Sequence, residues 1–212
     1  MITKLNSVLR MIPTWVVYLA LIAPGAVYFY WALINQLGAD PILRLERQYG
    51  RWALQLLIAG LLISPVRKLL GVNLMKFRRA IGLMAFLYVA LHLLIWVMLD
   101  KWLNWAGIWE DIVKRPFMTI GMMAFLMLVP LAVTSNNLSV RRMGAAAWRK
   151  LHRLTYFAAL AGAVHYMLIV KGWPMEPIMY VAVVAGLVAW RLPVGKWIRQ
   201  GQKHGAPVRH QS

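Results

Sequence analysis

The stretch LHRLTYFAALAGAVHY, residues 151 to 166, joins a basic segment to a long apolar one and has a histidine near each end. After Arg153 the chain stays mainly apolar as far as residue 170. An apolar run of about 17 to 25 residues can cross the hydrocarbon core of a bilayer as an α-helix. The stretch therefore predicts a membrane-spanning helix, and it raises the question of why His152 and His165 are placed here.

The composition of the whole chain agrees with this prediction. Of its 212 residues 61% are hydrophobic and only 14% are charged, with a mean hydropathy of +0.61, whereas soluble domains carry about 25% charged residues. Six segments are candidate spans: 11 to 34, 52 to 66, 80 to 99, 117 to 134, 154 to 170 and 177 to 192. The second and sixth are short, and flanking side chains that snorkel can lengthen both.

These segments predict an all-α integral membrane protein, a bundle of six transmembrane helices in one domain covering residues 1 to 212. The connections are too short to hold a folded domain outside the membrane, and residues 193 to 212 form a basic tail. A signal peptide is the alternative for the first segment. Its run of about 24 apolar residues is longer than the usual signal core of about 7 to 15 residues, which favours a span.

The distribution of lysine and arginine predicts the orientation. With the N-terminus in the cytoplasm, the inner segments hold 17 of the 24 basic residues, and all six acidic residues fall in the outer loops. The positive-inside rule therefore predicts both termini in the cytoplasm. A net charge of +18 suits nucleic acid in a soluble protein. Here it suits anionic lipid beside the spans, so no nucleic-acid partner is predicted.

Several kinds of site are excluded by the sequence. The chain has no cysteine, which excludes disulfides, cysteine-ligated iron-sulfur clusters and covalently attached c-type haem. It also lacks the glycine-rich loops that bind dinucleotides or nucleoside triphosphates. A redox role therefore requires a cofactor that is bound without a covalent bond between the helices.

Three histidines lie in apolar surroundings, and two of them match in depth. His92 lies 12 residues beyond Ala80, at the start of the third segment, and His165 lies 12 residues beyond Arg153, at the start of the fifth. Both segments run in the same direction, so the two side chains reach nearly the same level in the outer half of the membrane. Two axial ligands of one haem need this arrangement. The alternative is that each is a polar core residue bonded to a neighbouring helix.

His152 is predicted near the cytoplasmic edge, about 20 Å below His165 on the same helix. An ideal helix places these two side chains about 140 degrees apart, so they share a face only if the helix is kinked, for which Gly162 is a candidate. Arg78 and Arg79 could clamp a haem propionate or a flavin phosphate, or they could be anchors of the positive-inside kind. Trp148 could join such a site or belong to an aromatic belt.

A set of short stretches resembles the MsrQ (YedZ) family, the haem-binding membrane subunits of the bacterial periplasmic protein-methionine-sulfoxide reductase system, within the ferric-reductase-like transmembrane superfamily. The resemblance covers nearly all of residues 36 to 192. The matching stretches are LGADP (37 to 41), GRWAL (50 to 54), ISPVR (63 to 67), RRAIGL (78 to 83), LH (91 to 92), KRPFMTIG (114 to 121), TS (134 to 135), WRKLHRLTY (148 to 156) and HY (165 to 166).

The resemblance implies a b-type haem protein of the inner (cytoplasmic) membrane. Such a subunit takes electrons from membrane quinol or from a cytosolic flavin reductase, and FMN binding is also implied as a possibility. It passes electrons to a periplasmic molybdopterin subunit that reduces methionine sulfoxide in envelope proteins. The chain would then be the electron-donating part of an oxidoreductase and would have no catalytic residue of its own for the sulfoxide.

The resemblance also implies roles for individual residues. His92 and His165 match the haem-binding positions, and His152 matches a third histidine of the family pattern. The superfamily usually has a second histidine on the third helix, but Arg78 stands at that position, 14 residues before His92. This departure leaves His152 without an evident opposite ligand, so the count of one or two haems stays open.

Two other functions stay open at this point. A stand-alone ferric reductase of the cytochrome b type would share the haem and differ in the electron acceptor. A six-helix transporter without redox chemistry would more often show broken helices or two related halves. Pro24-Gly25 and Pro130 are the interior breaks that the sequence suggests, and no two halves match.

Alanine substitutions test the predicted ligands. His92→Ala or His165→Ala is expected to remove most of the bound haem, because each would delete an axial ligand, whereas His204→Ala and His210→Ala in the tail should leave it in place. Absorbance spectra of the purified variants before and after dithionite, with haem and flavin quantified per chain, measure this. Equal losses at all four positions would contradict the assignment.

Overall fold

The computed structural model describes residues 2 to 170, 172 and 174 to 191, and every regular element within them is a helix. His204, His210 and the tail of residues 193 to 212 lie outside the described residues. The α-helices are α1 (Ile2–Met11), α2 (Thr14–Leu33), α3 (Pro41–Leu70), α4 (Arg78–Ile95), α5 (Trp105–Lys114), α6 (Pro116–Val133), α7 (Asn137–Met143), α8 (Ala145–Leu151), α9 (Leu154–Ile169) and α10 (Met175–Ala189). A 3₁₀ turn (Met75–Phe77) precedes α4, and a π-helical turn (Trp96–Asp100) follows it.

Four of the helical segments are long and apolar enough to cross a membrane. They are α2, α3, the continuous segment from Met75 to Asp100 that contains α4, and α6. With 16 and 15 residues, α9 and α10 are shorter, and at about 1.5 Å per residue they fall below a core of about 30 Å. The chain is therefore a helical integral membrane protein, while the count of six spans and the orientation stay predictions.

The second predicted span is much longer than its apolar run. Residues 52 to 66 were expected, but α3 has 30 residues and extends beyond that run at both ends. At its start, the Asp40 carboxylate accepts a hydrogen bond from the Leu43 N–H and Pro41 follows as the first helical residue, which are favourable start signals. Gly71, with φ of 69°, ends it in the left-handed conformation. The helix also continues through Pro65.

The prediction that His152 and His165 share one helix is wrong. A break at His152 and Arg153 separates α8 from α9, so His152 is the C-terminal cap of α8. The interruption of the helix lies at this break and not at Gly162, which is inside α9. The short helices α7 and α8 are joined at Gly144, whose φ of 76° suits a glycine.

Small side chains allow the central helices to approach closely. α3 packs along α4, α6 packs along α9, and α10 packs against α9. Ala85 on α4 and Ala158, Ala159 and Ala163 on α9 have no exposed surface. In a membrane, where water does not drive helices together, such small residues improve the packing between them. The three pairs are joined into a bundle by contacts of α3 with α9 and of α4 with α6, while α2, which is mostly exposed, packs against α4.

The bundle has two chemically different ends. The acidic end comprises residues 34 to 51, 96 to 116, 172 and 174 to 176, and it holds all six acidic residues of the chain. An ion pair of 3.8 Å between Arg51 and Glu176 connects α3 to the start of α10 there. The basic end comprises residues 67 to 79, 134 to 153 and 190 to 191. A hydrogen bond of 2.8 Å from Arg79 to Asn137 connects α4 to α7 at this end.

One buried carboxylate holds α5 against its neighbours, and its removal is expected to lower the stability of the fold. Asp111 is only 8% exposed, and its oxygens lie 2.6 Å from Lys101 Nζ and 2.9 Å from Arg115 Nε. Asp111→Asn should therefore lower the free energy of unfolding by about 1 to 3 kcal/mol, because the partly buried Lys101 loses its charged partner, while the more exposed Arg115 loses little.

The matched control for this prediction is Glu110→Gln. Its carboxylate forms an exposed ion pair of 2.7 Å with Lys114 on the same helix, and such pairs contribute about 0.3 to 0.5 kcal/mol. Thermal unfolding of both variants in detergent, followed by size-exclusion chromatography, compares them. A similar unfolding midpoint for the two variants would show that Asp111 does not hold α5.

Candidate functional site

The structure brings His92 and His165 together between α4 and α9. Their ring centroids are 6.4 Å apart, and the ring planes are inclined at 78°. Both side chains are partly buried, as expected for a cleft between helices. The depth count along the sequence predicts this meeting, and the structure confirms it. Their role as ligands is not tested by proximity alone and stays a prediction.

Each of the two imidazoles is bonded to the backbone of a further helix. His92 Nδ1 lies 2.9 Å from the Glu46 carbonyl oxygen on α3, and His165 Nδ1 lies 2.6 Å from the Phe117 carbonyl oxygen on α6. A carbonyl oxygen only accepts hydrogen bonds, so Nδ1 is the protonated nitrogen in both rings. In the neutral imidazole, Nε2 then keeps its lone pair. This is the tautomer that a metal-binding histidine needs.

A glycine lies under each histidine ring. Gly50 follows Glu46 by four residues on α3, and Gly121 follows Phe117 by four residues on α6. Each glycine is therefore one helical turn beyond the carbonyl that accepts the histidine hydrogen bond. The same geometry occurs twice, on two different helices.

The histidine rings occupy the space into which a side chain at either glycine would extend. A Cβ added at Gly121 would lie 2.6 Å from Nδ1 and Cε1 of His165, and one added at Gly50 would lie 3.3 Å from Nδ1 of His92. Because glycine has no side chain, each imidazole ring comes close enough to the neighbouring helix for Nδ1 to reach the carbonyl oxygen. The two glycines thus set the position of the two histidines.

The separation of the rings suits one metal ion between them. A metal–imidazole nitrogen bond is about 2 Å long, so two imidazoles on opposite sides of one ion have centres about 6 Å apart. Within the described residues, no group of three or more histidine, cysteine or carboxylate side chains could hold a metal ion. A haem supplies its own equatorial ligands and takes only axial ligands from the protein. The pair therefore fits the implied haem.

His152 has different neighbours at the basic end. Its Nε2 lies 3.2 Å from the Thr134 hydroxyl, and its ring stacks on that of Trp148 with centroids 3.8 Å apart. Burial and then the charge of Arg78 hold the pKa of the His152 imidazole below its usual value. The groups near His152 are thus the hydroxyl of Thr134, the indole of Trp148 and the guanidinium of Arg78. The role of His152 as a ligand stays a prediction.

The other predicted residues of the site separate into two groups. Arg78 is partly buried and lies close enough to His152 to interact with its charge. Arg79 is exposed and donates a hydrogen bond to Asn137. The indole N–H of Trp148 donates to the Thr134 carbonyl oxygen at 2.9 Å. The roles of the three residues in holding a cofactor stay predictions.

Gly50, Gly121 and Thr134 belong to the site but had no role in the sequence analysis. All three lie in stretches that carry the family resemblance, GRWAL, KRPFMTIG and TS. Nothing in the order of residues shows that a glycine lies under a ring from a helix about 40 residues away. The spacing of four residues between each carbonyl and its glycine indicates a histidine site only because α3 packs against α4 and α6 packs against α9.

Comparison with known proteins agrees with this site. Residues 49 to 163 match the family described as "Ferric reductase like transmembrane component". Proteins named "Protein-methionine-sulfoxide reductase heme-binding subunit MsrQ" from Brucella ovis, Brucella canis and Brucella melitensis are similar to this chain. Each is 48% identical over 178 residues, covering 84% of this chain and 80% of its own length. No solved structure was found to match the chain.

Filling the space above a glycine should displace the histidine that lies on it. Gly121→Ala is expected to push the His165 ring from its carbonyl partner and to lower the affinity for haem about tenfold or more, as loss of an orienting partner does. Gly50→Ala should have a smaller effect, because its Cβ would be 3.3 Å from the His92 ring. Haem titration of the haem-depleted protein measures the affinity, and electron paramagnetic resonance of the oxidised protein reports changes in axial geometry.

Two further glycines provide controls on the same helices as the histidines. A Cβ at Gly82 on α4 would meet nothing within 4 Å, and one at Gly162 on α9 would make only an ordinary contact of 3.9 Å with Leu54. Gly82→Ala and Gly162→Ala should therefore keep the wild-type affinity and spectrum. If Gly121→Ala retained haem as well as these controls do, the glycine would not position His165.

Proposed function

The chain belongs to the ferric-reductase-like transmembrane family and, within it, to the MsrQ heme-binding subunits of protein-methionine-sulfoxide reductase, and we propose that it relays electrons through a bound b-type haem. In this proposal the electrons come from membrane quinol or from a cytosolic flavin reductase. The electrons then pass to a periplasmic molybdopterin subunit, which reduces methionine sulfoxide in envelope proteins. The chain has no contact with the sulfoxide.

The observation that carries the proposal is the pair of fixed imidazoles. His92 and His165 come from different helices, meet with centroids 6.4 Å apart, and are each held by a backbone carbonyl in the tautomer that leaves Nε2 free to bind a metal. The two Nε2 atoms would therefore hold the iron of a haem without a change of tautomer. When bound, the haem supplies reversible one-electron chemistry.

The backbone bonds also influence the electronic properties of the site. A histidine that donates Nδ1–H to an acceptor becomes a stronger ligand through its other nitrogen. The Glu46 and Phe117 carbonyl oxygens, at 2.9 and 2.6 Å, thus orient the rings and increase their basicity. With a haem bound, the two imidazoles would hold its iron, and their basicity would be one of the protein's controls on its reduction potential.

The arrangement across the membrane follows from the distribution of charge. We place the basic end in the cytoplasm and the acidic end in the periplasm, with α9 and α10 as the fifth and sixth spans of a bundle in the bacterial inner membrane. The histidine pair then lies nearer the periplasm, close to the acceptor. In this position one haem serves the outer half. A second haem at His152 is not supported by its neighbours Thr134 and Trp148.

Reconstitution with the partner tests the proposal. The purified chain in lipid nanodiscs, supplied with quinol and the periplasmic reductase, should support reduction of a peptide that contains methionine sulfoxide. His165→Ala is expected to lower this rate at least about tenfold, because the ligand pair is lost. Arg142→Gln, an exposed change at the basic end, serves as the control and should leave the rate close to that of the wild type.

The same preparation distinguishes the proposed function from that of a stand-alone ferric reductase, which has a different electron acceptor. A stand-alone ferric reductase would reduce ferric chelates at a comparable rate without the periplasmic partner. Reduction of the sulfoxide peptide that requires both the partner and the histidine pair supports the proposal. Purified protein without dithionite-sensitive Soret and α bands would contradict the presence of haem and with it the relay.

A further inference from the structure

Helix α5 differs from the spans because it is short and connects two of them at the acidic end. Its 10 residues extend over about 15 Å, whereas a span needs about 30 Å. The apolar segment before it ends at Asp100, and α6 begins after it at Pro116. Only residues 101 to 104 and Arg115 separate α5 from these two segments. The helix is therefore held at the surface of the membrane.

One face of α5 packs on the bundle. Ile108 and Asp111 are buried, and Ile112 is partly buried. Asp111 also fixes this face through its ion pairs with Lys101 and Arg115. The orientation of α5 about its own axis is thus determined by contacts within the chain, and these contacts decide which side chains stay exposed.

The exposed surface of α5 is divided lengthwise into an apolar half and a polar half. The apolar half consists of Trp105, Trp109 and Val113, which are 67%, 69% and 61% exposed. Because they recur every four residues, they form one stripe along the helix. Glu110 and Lys114 each follow a member of the stripe by one residue, about 100 degrees further round the helix. These two side chains pair at 2.7 Å, so the polar half carries no net charge.

The turn before α5 leaves a further tryptophan uncovered. Trp102 and Leu103 have φ of 50° and 59°, in the left-handed region that is unfavourable for residues with a Cβ. Trp102 is 78% exposed, so burial of its ring does not offset this cost. A strained turn that presents an exposed indole indicates a use for that side chain outside the chain's own core.

We propose that α5 lies in the plane of the membrane and inserts the stripe of Trp105, Trp109 and Val113 into the headgroup region of the leaflet at the acidic end. Helices with one apolar and one polar face bind at this depth. Tryptophan is enriched there because its ring is apolar and its N–H is polar. Lipid is the occupant of the stripe, because the short connections to two spans keep α5 at the bilayer. The ion pairs of Asp111 then transmit this attachment to the bundle.

The absence of cysteine from the chain allows one labelled position at a time to report its depth. Val113→Cys and Lys114→Cys are made in the full chain, labelled with a nitroxide and placed in phosphatidylcholine nanodiscs. Power saturation in electron paramagnetic resonance compares collisions with oxygen, which concentrates in lipid, and with a nickel chelate, which stays in water. Residue 113 should favour oxygen and residue 114 should favour the chelate, a reversal between neighbouring positions.

A second pair repeats the comparison one turn earlier, so that the test survives if one variant fails to fold. Trp109→Cys belongs to the stripe, and Glu110→Cys is its matched control on the polar half. The same reversal is expected here. Equal preference at both positions of each pair would overturn the proposal.

Addition of the periplasmic reductase tests whether a protein covers the stripe instead of lipid. A label at residue 113 that the chelate reaches in nanodiscs, and that only the reductase shields, would also overturn the proposal. The Soret band of each labelled protein is recorded separately, because insertion of α5 does not require haem. Reversal in a chain without haem would contradict the electron relay and support the position of α5, so the two proposals fail independently.

Discussion

The central arrangement depends on hydrogen bonds between imidazole N–H groups and backbone carbonyl oxygens of neighbouring helices. Such a bond crosses from α4 to α3 and another crosses from α9 to α6. In an apolar medium an unpaired polar group is costly, so each bond keeps its two helices together at one level. Because a buried histidine needs an acceptor, it thereby fixes the register of a helix pair. The same bond leaves Nε2 of the ring with its lone pair, which a metal ligand requires.

Glycine makes this arrangement possible because a carbonyl oxygen inside a helix is normally screened by side chains. The Glu46 and Phe117 oxygens already accept the N–H one turn later in their own helices, and they retain a lone pair for a second donor. At Gly50 and Gly121 the residue one turn later has no side chain, so the imidazole ring comes near enough to use that lone pair. Tyr88 shows the same geometry, with its hydroxyl on the Leu21 carbonyl and its ring over Gly25.

The sequence predicts the features that follow from local composition and from spacing along one helix. The apolar runs indicate most helices, and counting from the basic residues predicts that His92 and His165 meet. The extent of α3 is less visible, because Asp40 and Pro41 begin the helix well before its apolar part. The break at His152 is also hidden, since residues 148 to 156 carry no glycine or proline. Packing between helices, which places Gly121 under His165, has no local signal at all.

The position 14 residues before His92 determines how the two ends of α4 and α9 differ. A histidine at residue 78 would offer a nitrogen lone pair towards His152, whereas Arg78 has only donors and stays charged. It cannot ligate a metal, and it repels a cation rather than binding one. α4 therefore carries His92 at one level and the guanidinium of Arg78 about 20 Å away along the same helix. In our proposal a haem held by the histidine pair serves the outer half, and electrons from the cytoplasmic side pass a level at which residue 78 of α4 offers no ligand.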